Sequence, residues 1–311
     1  MNDLKAHIAL FVVAVVATLL TWTRETVDDE DRSLSVVWDR DTADVLGLHY
    51  RTPALDLQVS RRSDDAGTFL WGVQTRGGEE PMEFPVGANG QHLLATQVAV
   101  LRVQRDLGQL SPERRTQYGL DASERRLSVR FSDGPRELVV GDSVFGSADR
   151  YAMEPATGIG YVLSRHLLAP LDAGDGAVRE RTAHHFAESD VAAVRISGPG
   201  GERRMARTES GDWTPIDGGA PDAGFGNFME RVALLSPAEG YDNLPPPQSL
   251  TLLLRVDYID AGADYLGFVE LLHDGGVSPR SYYLRSEATR ILGRVPWILG
   301  ERVEQVVEDV F

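Results

Sequence analysis

The feature that most constrains this chain is a recurring alternation of apolar residues at every second position. It runs through Leu127, Val129 and Phe131, and again through Leu250, Leu252, Leu254 and Val256. Successive side chains on a strand point to opposite faces, so such runs bury one face and wet the other, as antiparallel strands do. Turn residues follow in the first case: Asp133-Gly134-Pro135 leads back into Leu138-Val139-Val140. The second run returns through Tyr265 to Val269. Shorter strand-like runs lie at Asp44–His49, Arg150–Met153, Tyr161–Leu163, Asp190–Ile196, Ser281–Leu284 and Arg290–Leu292.

Helical spacing appears between these runs. Phe225, Phe228, Met229, Val232 and Leu235 fall on one face of a 3.6-residue period, and Leu94, Val98, Leu101 and Val103 form a noisier version. Ser164 to Leu171 and Gly300 to Val310 read as closing helices. The order of elements recurs. Trp71 and Trp213 precede the two helices, and Tyr118 and Tyr241 each stand nine residues before an alternating strand. The predicted fold class is therefore α+β, with two tandem, weakly repeated units of antiparallel sheet plus helices at 43–173 and 174–311. The small residues Ala173-Gly174-Asp175-Gly176-Ala177 suit a flexible joint.

A different constraint acts at the N-terminus. Ala6 to Thr23 contains no Asp, Glu, Lys or Arg. Ile8, Leu10, Phe11, Val12, Val13, Val15, Val16, Leu19 and Leu20 fill it, and Trp22 sits where an interfacial aromatic belongs. Good cleavage residues are missing after Trp22. The expectation is an N-terminal transmembrane helix within residues 1–24, then an acidic linker, 25–42, carrying Asp28-Asp29-Glu30-Asp31. Such an anchor places the body outside the cytoplasm, on the periplasmic side of the inner membrane.

Composition excludes several chemistries. The 311 residues carry a formal charge of −16, which argues against a nucleic-acid partner. Cysteine is absent, so disulfides, thiol nucleophiles and cysteine-held metals are excluded. Lys5 is the only lysine, and neither Gly158-Ile159-Gly160 nor Gly198-Pro199-Gly200-Gly201 completes a phosphate loop. His184-His185 makes a poor chelate, because adjacent side chains diverge, and it reads as a surface pair. No cofactor or metal is expected. Arginine pairs such as Arg125-Arg126 and Arg203-Arg204 read as solvated faces. Gly141-Asp142-Ser143 has the form of a GDSL-type nucleophile block. No histidine has an aspartate three residues before it, as that chemistry requires, and His273 has Glu270 there instead.

One ordered set of motifs has a family resemblance. Tyr118-Gly119-Leu120-Asp121, the hairpin of Leu127–Phe131 and Leu138–Val140, Gly141-Asp142, and Arg150-Tyr151 resemble the domain-of-unknown-function 4340 family. The resemblance is strongest from Gln117 to Leu171. The second unit departs from it, with Tyr241-Asp242-Asn243-Leu244 in place of the Tyr-Gly-Leu element. It implies a single-pass anchored envelope protein, an accessory or scaffold of an ABC-type export or gliding-motility-like transporter complex. Its partners would be the membrane and a permease, an ATPase or other envelope proteins. It implies no catalytic residue, and Tyr118, Gly119, Leu120, Asp121, Gly141, Asp142 and Tyr151 would be structural. The competing functions are an envelope hydrolase using Ser143 and a cell-wall or carbohydrate-binding module.

Overall fold

A computed structural model describes residues 34–64, 67–276 and 278–311. The chain opens with β1 (Ser35–Asp39), β2 (Val45–Thr52), β3 (Leu55–Asp64), β4 (Gly67–Arg76) and β5 (Met82–Pro85). Helix α1 (Ala88–Leu93) runs into a π-helical turn, Leu94–Val98. Next come β6 (Val100–Val103), β7 (Arg105–Gln109), α2 (Pro112–Gln117), β8 (Arg126–Phe131), β9 (Gly134–Ser143), β10 (Arg150–Met153), β11 (Ile159–Leu163), α3 (Arg165–Ala173) and α4 (Asp175–Val178). The remaining elements are β12 (Ala193–Gly198), β13 (Gly201–Arg207), β14 (Trp213–Pro215), α5 (Ala223–Ala233), β15 (Leu250–Ile259), β16 (Tyr265–Asp274), β17 (Ser281–Ser286), β18 (Gly293–Val295) and α6 (Trp297–Val307).

Every sheet is antiparallel. The larger has the order β5-β4-β3-β2-β8-β9-β10-β11-β7, the second β14-β13-β12-β15-β16-β17-β18, and the third pairs β1 with β6. Seven strands of the larger sheet, β4 through β11, therefore follow the same spatial sequence as the whole second sheet. Each sheet buries one face. On β3, Leu55, Leu57 and Val59 are buried while Gln58 is exposed. Two separate cores result, one under each sheet. The second is closed by α5, whose Phe225, Phe228, Met229 and Val232 are all buried. Asp222 caps that helix by accepting from the Phe225 amide at 2.9 Å.

The expected α+β class is corrected by this architecture. Strand outweighs helix, 43% to 23%, and the fold is mainly β, built on three antiparallel sheets. The reason is visible in the first unit. Its helical reading of Leu94, Val98, Leu101 and Val103 stops at Val98, and Leu101 and Val103 lie on β6, paired with β1. β-Branched Val100 and Val103 favour a strand once a partner strand is present. That partner, β1, lies within the stretch read as an acidic linker. The two tryptophans are also not equivalent. Trp213 belongs to the second core, whereas Trp71 lies outside the first and donates to Glu83 at 2.6 Å.

The expected transmembrane helix is likewise not found among the described helices, none of which is long and apolar enough to cross a membrane. The candidate anchor, Ala6 to Thr23 with Ile8, Leu10, Phe11, Val12, Val13, Val15, Val16, Leu19, Leu20 and Trp22, lies outside the described residues.

Candidate functional site

The motif residues of the first unit meet in one place. The Tyr118 and Tyr151 rings stack 3.9 Å apart at 8°. The Asp142 amide donates to the Tyr118 carbonyl at 2.9 Å. Leu120 is buried with Leu110, Val139 and Met153 in a small satellite core, and Asp121 accepts from the Thr116 hydroxyl at 2.8 Å. The glycines are there for contact. A Cβ on Gly141 would stand 2.2 Å from the Tyr118 carbonyl oxygen, and one on Gly119 2.4 Å from an Asp142 carboxylate oxygen. This is a lock between the α2 turn and the end of β9, held by backbone contact and ring stacking.

Ser143 follows this lock at the end of β9. Among the described residues no hydrogen bond joins it to a histidine. A polar, open dish of about 550 Å³ lies nearby, lined by Gln104, Asp149, Ser164 and His166, and Ser143 is not on it. A nucleophile–base–acid constellation is therefore not assembled at Gly141-Asp142-Ser143. No cluster of three metal-ligating side chains occurs among the described residues.

The two adjacent histidines diverge, as their spacing requires, but they are not idle surface groups. His185 Nε2 donates to Glu180 at 2.6 Å. His184 Nδ1 donates to Glu287 at 2.9 Å, and its ring stacks 4.6 Å from Phe186 and meets Tyr258 edge-on at 4.6 Å. Both belong to the segment joining the units, which is built in rather than loose. The Glu180 amide donates to the Pro85 carbonyl at 2.7 Å, and its own carbonyl accepts from the Tyr241 hydroxyl at 3.0 Å. Its carboxylate, 4% exposed, accepts from the Arg181 and Thr182 amides at 2.8 and 2.9 Å, and from the Thr182 hydroxyl at 2.7 Å. Burial by itself would raise this carboxyl. The hydrogen bonds from His185 and Thr182 overcome that and hold it at about 2. The same bond to Glu180 raises the His185 imidazole, against its own desolvation.

The other half of this segment walls a pocket of about 410 Å³ in the second unit, within the range of ligand sites. His184 and Phe186 form one side, Trp213 and Tyr258 the sheet side, and Met229, Ala233 and Leu235 the end of α5. Two of its charged groups, Glu188 and His184, are paired, while Arg181 on the lining has no carboxylate partner among the described residues. Arg207 binds Glu188 at 3.1 Å and lies 5.7 Å over the Trp213 ring, and His184 holds Glu287. Burial first, then the Glu287 and Glu188 carboxylates, push the Tyr258 phenol above its ordinary value, so it stays a hydrogen-bond donor at neutral pH. Sequence reasoning assigned Phe225, Phe228 and Met229 to a core face but could not see the pocket. Its walls come from segments more than seventy residues apart.

A charged ladder on the opposite face of the second sheet was also not foreseen. Asp257 lies between Arg195 and Arg255, each at 2.8 Å. Glu270 lies between Arg255 at 2.7 Å and Arg285 at 2.6 Å. Burial raises the Asp257 carboxyl less than these arginine hydrogen bonds lower it. The signal was the polar pair Arg255 and Asp257, two apart on a strand and so on one face.

No protein-family model matches the chain, and no curated protein does either. A crystal structure of a protein of unknown function from the DUF3598 family of Nostoc punctiforme aligns at 12% identity, covering 85% of this chain and 93% of that one. The TM-score is 0.14, so this likeness carries no argument about fold or function. The terms drawn from the resemblance are corrected: the ABC-transporter, domain-of-unknown-function 4340 and transmembrane-helix descriptions find no support.

Proposed function

We propose that this chain is a non-enzymatic accessory or scaffold protein that works by holding a protein partner. The observation that supports this is the pocket beside α5: an aromatic and aliphatic wall, in which Glu188 is paired with Arg207 and His184 with Glu287. Such a site offers burial and hydrogen bonds but no activated nucleophile. The seam helps, because Glu180 ties the pocket wall to the first unit and presents it on a fixed body.

Two substitutions separate binding from hydrolysis. Ala233 is exposed at the pocket rim, so Ala233→Trp fills the pocket without opening the core. Expected is loss of the cellular phenotype with Ala233→Trp, and no change with Ser143→Ala in a null strain complemented by each variant. Loss of function with Ser143→Ala and none with Ala233→Trp would overturn the reading in favour of a hydrolase.

A further inference from the structure

The pocket holds two donors without protein partners. Tyr258 and Trp213 are 5% and 8% exposed, and both line it. Among the described residues, neither the Tyr258 hydroxyl nor the Trp213 indole N–H makes a hydrogen bond, whereas the indole N–H of Trp38 in the first unit does. Neither atom is among the fully buried polar atoms that lack a partner, so each opens onto the pocket, where an acceptor brought by an occupant can reach it. What enters this pocket should bring acceptors. Around the two donors Glu188 pairs with Arg207 and His184 with Glu287, while Arg181, also on the lining, donates to the Gly176 carbonyl and has no carboxylate partner among the described residues.

The first unit shows what fits such a place. The pocket lies between the C-terminal end of α5 and the far end of β15, the strand that pairs with β12. The corresponding place in the first unit lies between the π-turn that ends α1 and the far end of β8, which pairs with β2. There it is filled by Trp38 from β1. Its indole N–H donates to the Val98 carbonyl at 2.8 Å, and its ring meets Phe131 edge-on at 6.0 Å. Among the described residues the second unit has no strand corresponding to β1.

We infer that the pocket of the second unit takes an aromatic side chain carried on an extended peptide segment of a partner protein, whose backbone carbonyls accept from Tyr258 and Trp213. The side chain would take the place that Trp38 takes in the first unit. This deepens the binding reading above and rests on it.

The test uses the full ¹⁵N-labelled chain and the blocked peptide acetyl-Val-Trp-Val-amide. The Trp213 indole N–H resonance, assigned with Trp213→Phe, is the readout. Expected is a saturable shift of that resonance, abolished by Ala233→Trp. Acetyl-Val-Ala-Val-amide should bind at least about tenfold more weakly, having lost the aromatic burial. Tyr258→Phe should weaken the tryptophan peptide about tenfold, the worth of one hydrogen bond near 1.4 kcal/mol. It should leave 3-methylindole, which has no carbonyl, unaffected. Equal binding of the two peptides, or no shift with either, overturns the inference. So does 3-methylindole binding as tightly as the tripeptide, which would make this a small-molecule site. If the peptides fail while Ala233→Trp still abolishes the phenotype, only the occupant is wrong. If Ala233→Trp leaves the phenotype intact, the binding reading itself fails.

Discussion

Replacing Glu180 by glutamine keeps its volume and most of its hydrogen-bond geometry but removes its charge. The carboxylate is 4% exposed and accepts from two backbone amides, the Thr182 hydroxyl and His185. In glutamine the remaining carbonyl oxygen can keep the three bonds from residues 181 and 182, which all reach one oxygen. The bond to His185 changes from charged to neutral, a loss of about 1–3 kcal/mol. Glu180→Ala removes every bond and leaves the Arg181 and Thr182 amides unpaired. Breaking a buried ion pair costs about 3–5 kcal/mol. Because His185 is 56% exposed and can be resolvated, the lower end applies, about 3 kcal/mol. At roughly 2 °C per kcal/mol for a chain of this size, Tm should fall about 2–6 °C for glutamine and about 6 °C or more for alanine.

The pH dependence is more diagnostic than the size. Glu180 is depressed from 4.5 to about 2, so its contribution is full above 4.5 and is lost as pH falls toward 2. His185 is raised from 6.5, so its contribution is full below 6.5 and is lost as pH rises through the raised value. The stability gap between wild type and Glu180→Gln should therefore be widest between pH 4.5 and 6.5 and narrow on both sides. Urea unfolding followed by circular dichroism across pH 3–9 measures it. A gap that stays flat from pH 5 down to 3 would refute the charged seam, as would an alanine variant within 0.5 kcal/mol, roughly the spread of ordinary surface changes.

Two further perturbations follow from packing. Gly141→Ala places a methyl 2.2 Å from the Tyr118 carbonyl oxygen, so backbone must move. Equilibrium unfolding should show about 1–3 kcal/mol of destabilisation, and Gly176→Ala, where nothing lies within 4 Å, should show far less. Arg290→Ala removes a contact between the units. Its guanidinium lies 3.9 Å over the Phe69 ring and pairs with Asp64. A loss of about 1 kcal/mol is expected, reduced in high salt, read from the same unfolding curves.

Much of the fold was legible where period and burial coincide. The alternation of Leu127, Val129 and Phe131 became β8 with all three residues buried. Phe225, Phe228, Met229 and Val232 became the buried face of α5. Legibility failed where pairing with a distant segment decides the local state. Leu101 and Val103 fit a helical spacing, yet they form a strand because β1, more than sixty residues earlier, supplies its hydrogen bonds. The motif set around Tyr118 and Gly141 was readable as an ordered string, but the Tyr118–Tyr151 stack that explains it joins a helix end to β10. At the pocket, the spacing of His184-His185 showed that the two rings diverge. It could not show that one would staple the seam while the other packed against Phe186 and Tyr258.

By itself the sequence determined that this chain would alternate into antiparallel strands, carry a strong negative charge and do without cysteine chemistry. Those properties depend on residue type and on spacing of a few positions, which are local. The tertiary structure decided the rest. It set the order of the strands and placed Glu180 at the seam between two sheets. It also left Tyr258 and Trp213 facing an unfilled pocket where the first unit has Trp38. Those outcomes depend on which distant segments compete for the same hydrogen bonds and the same volume, and that competition is resolved only when the chain packs.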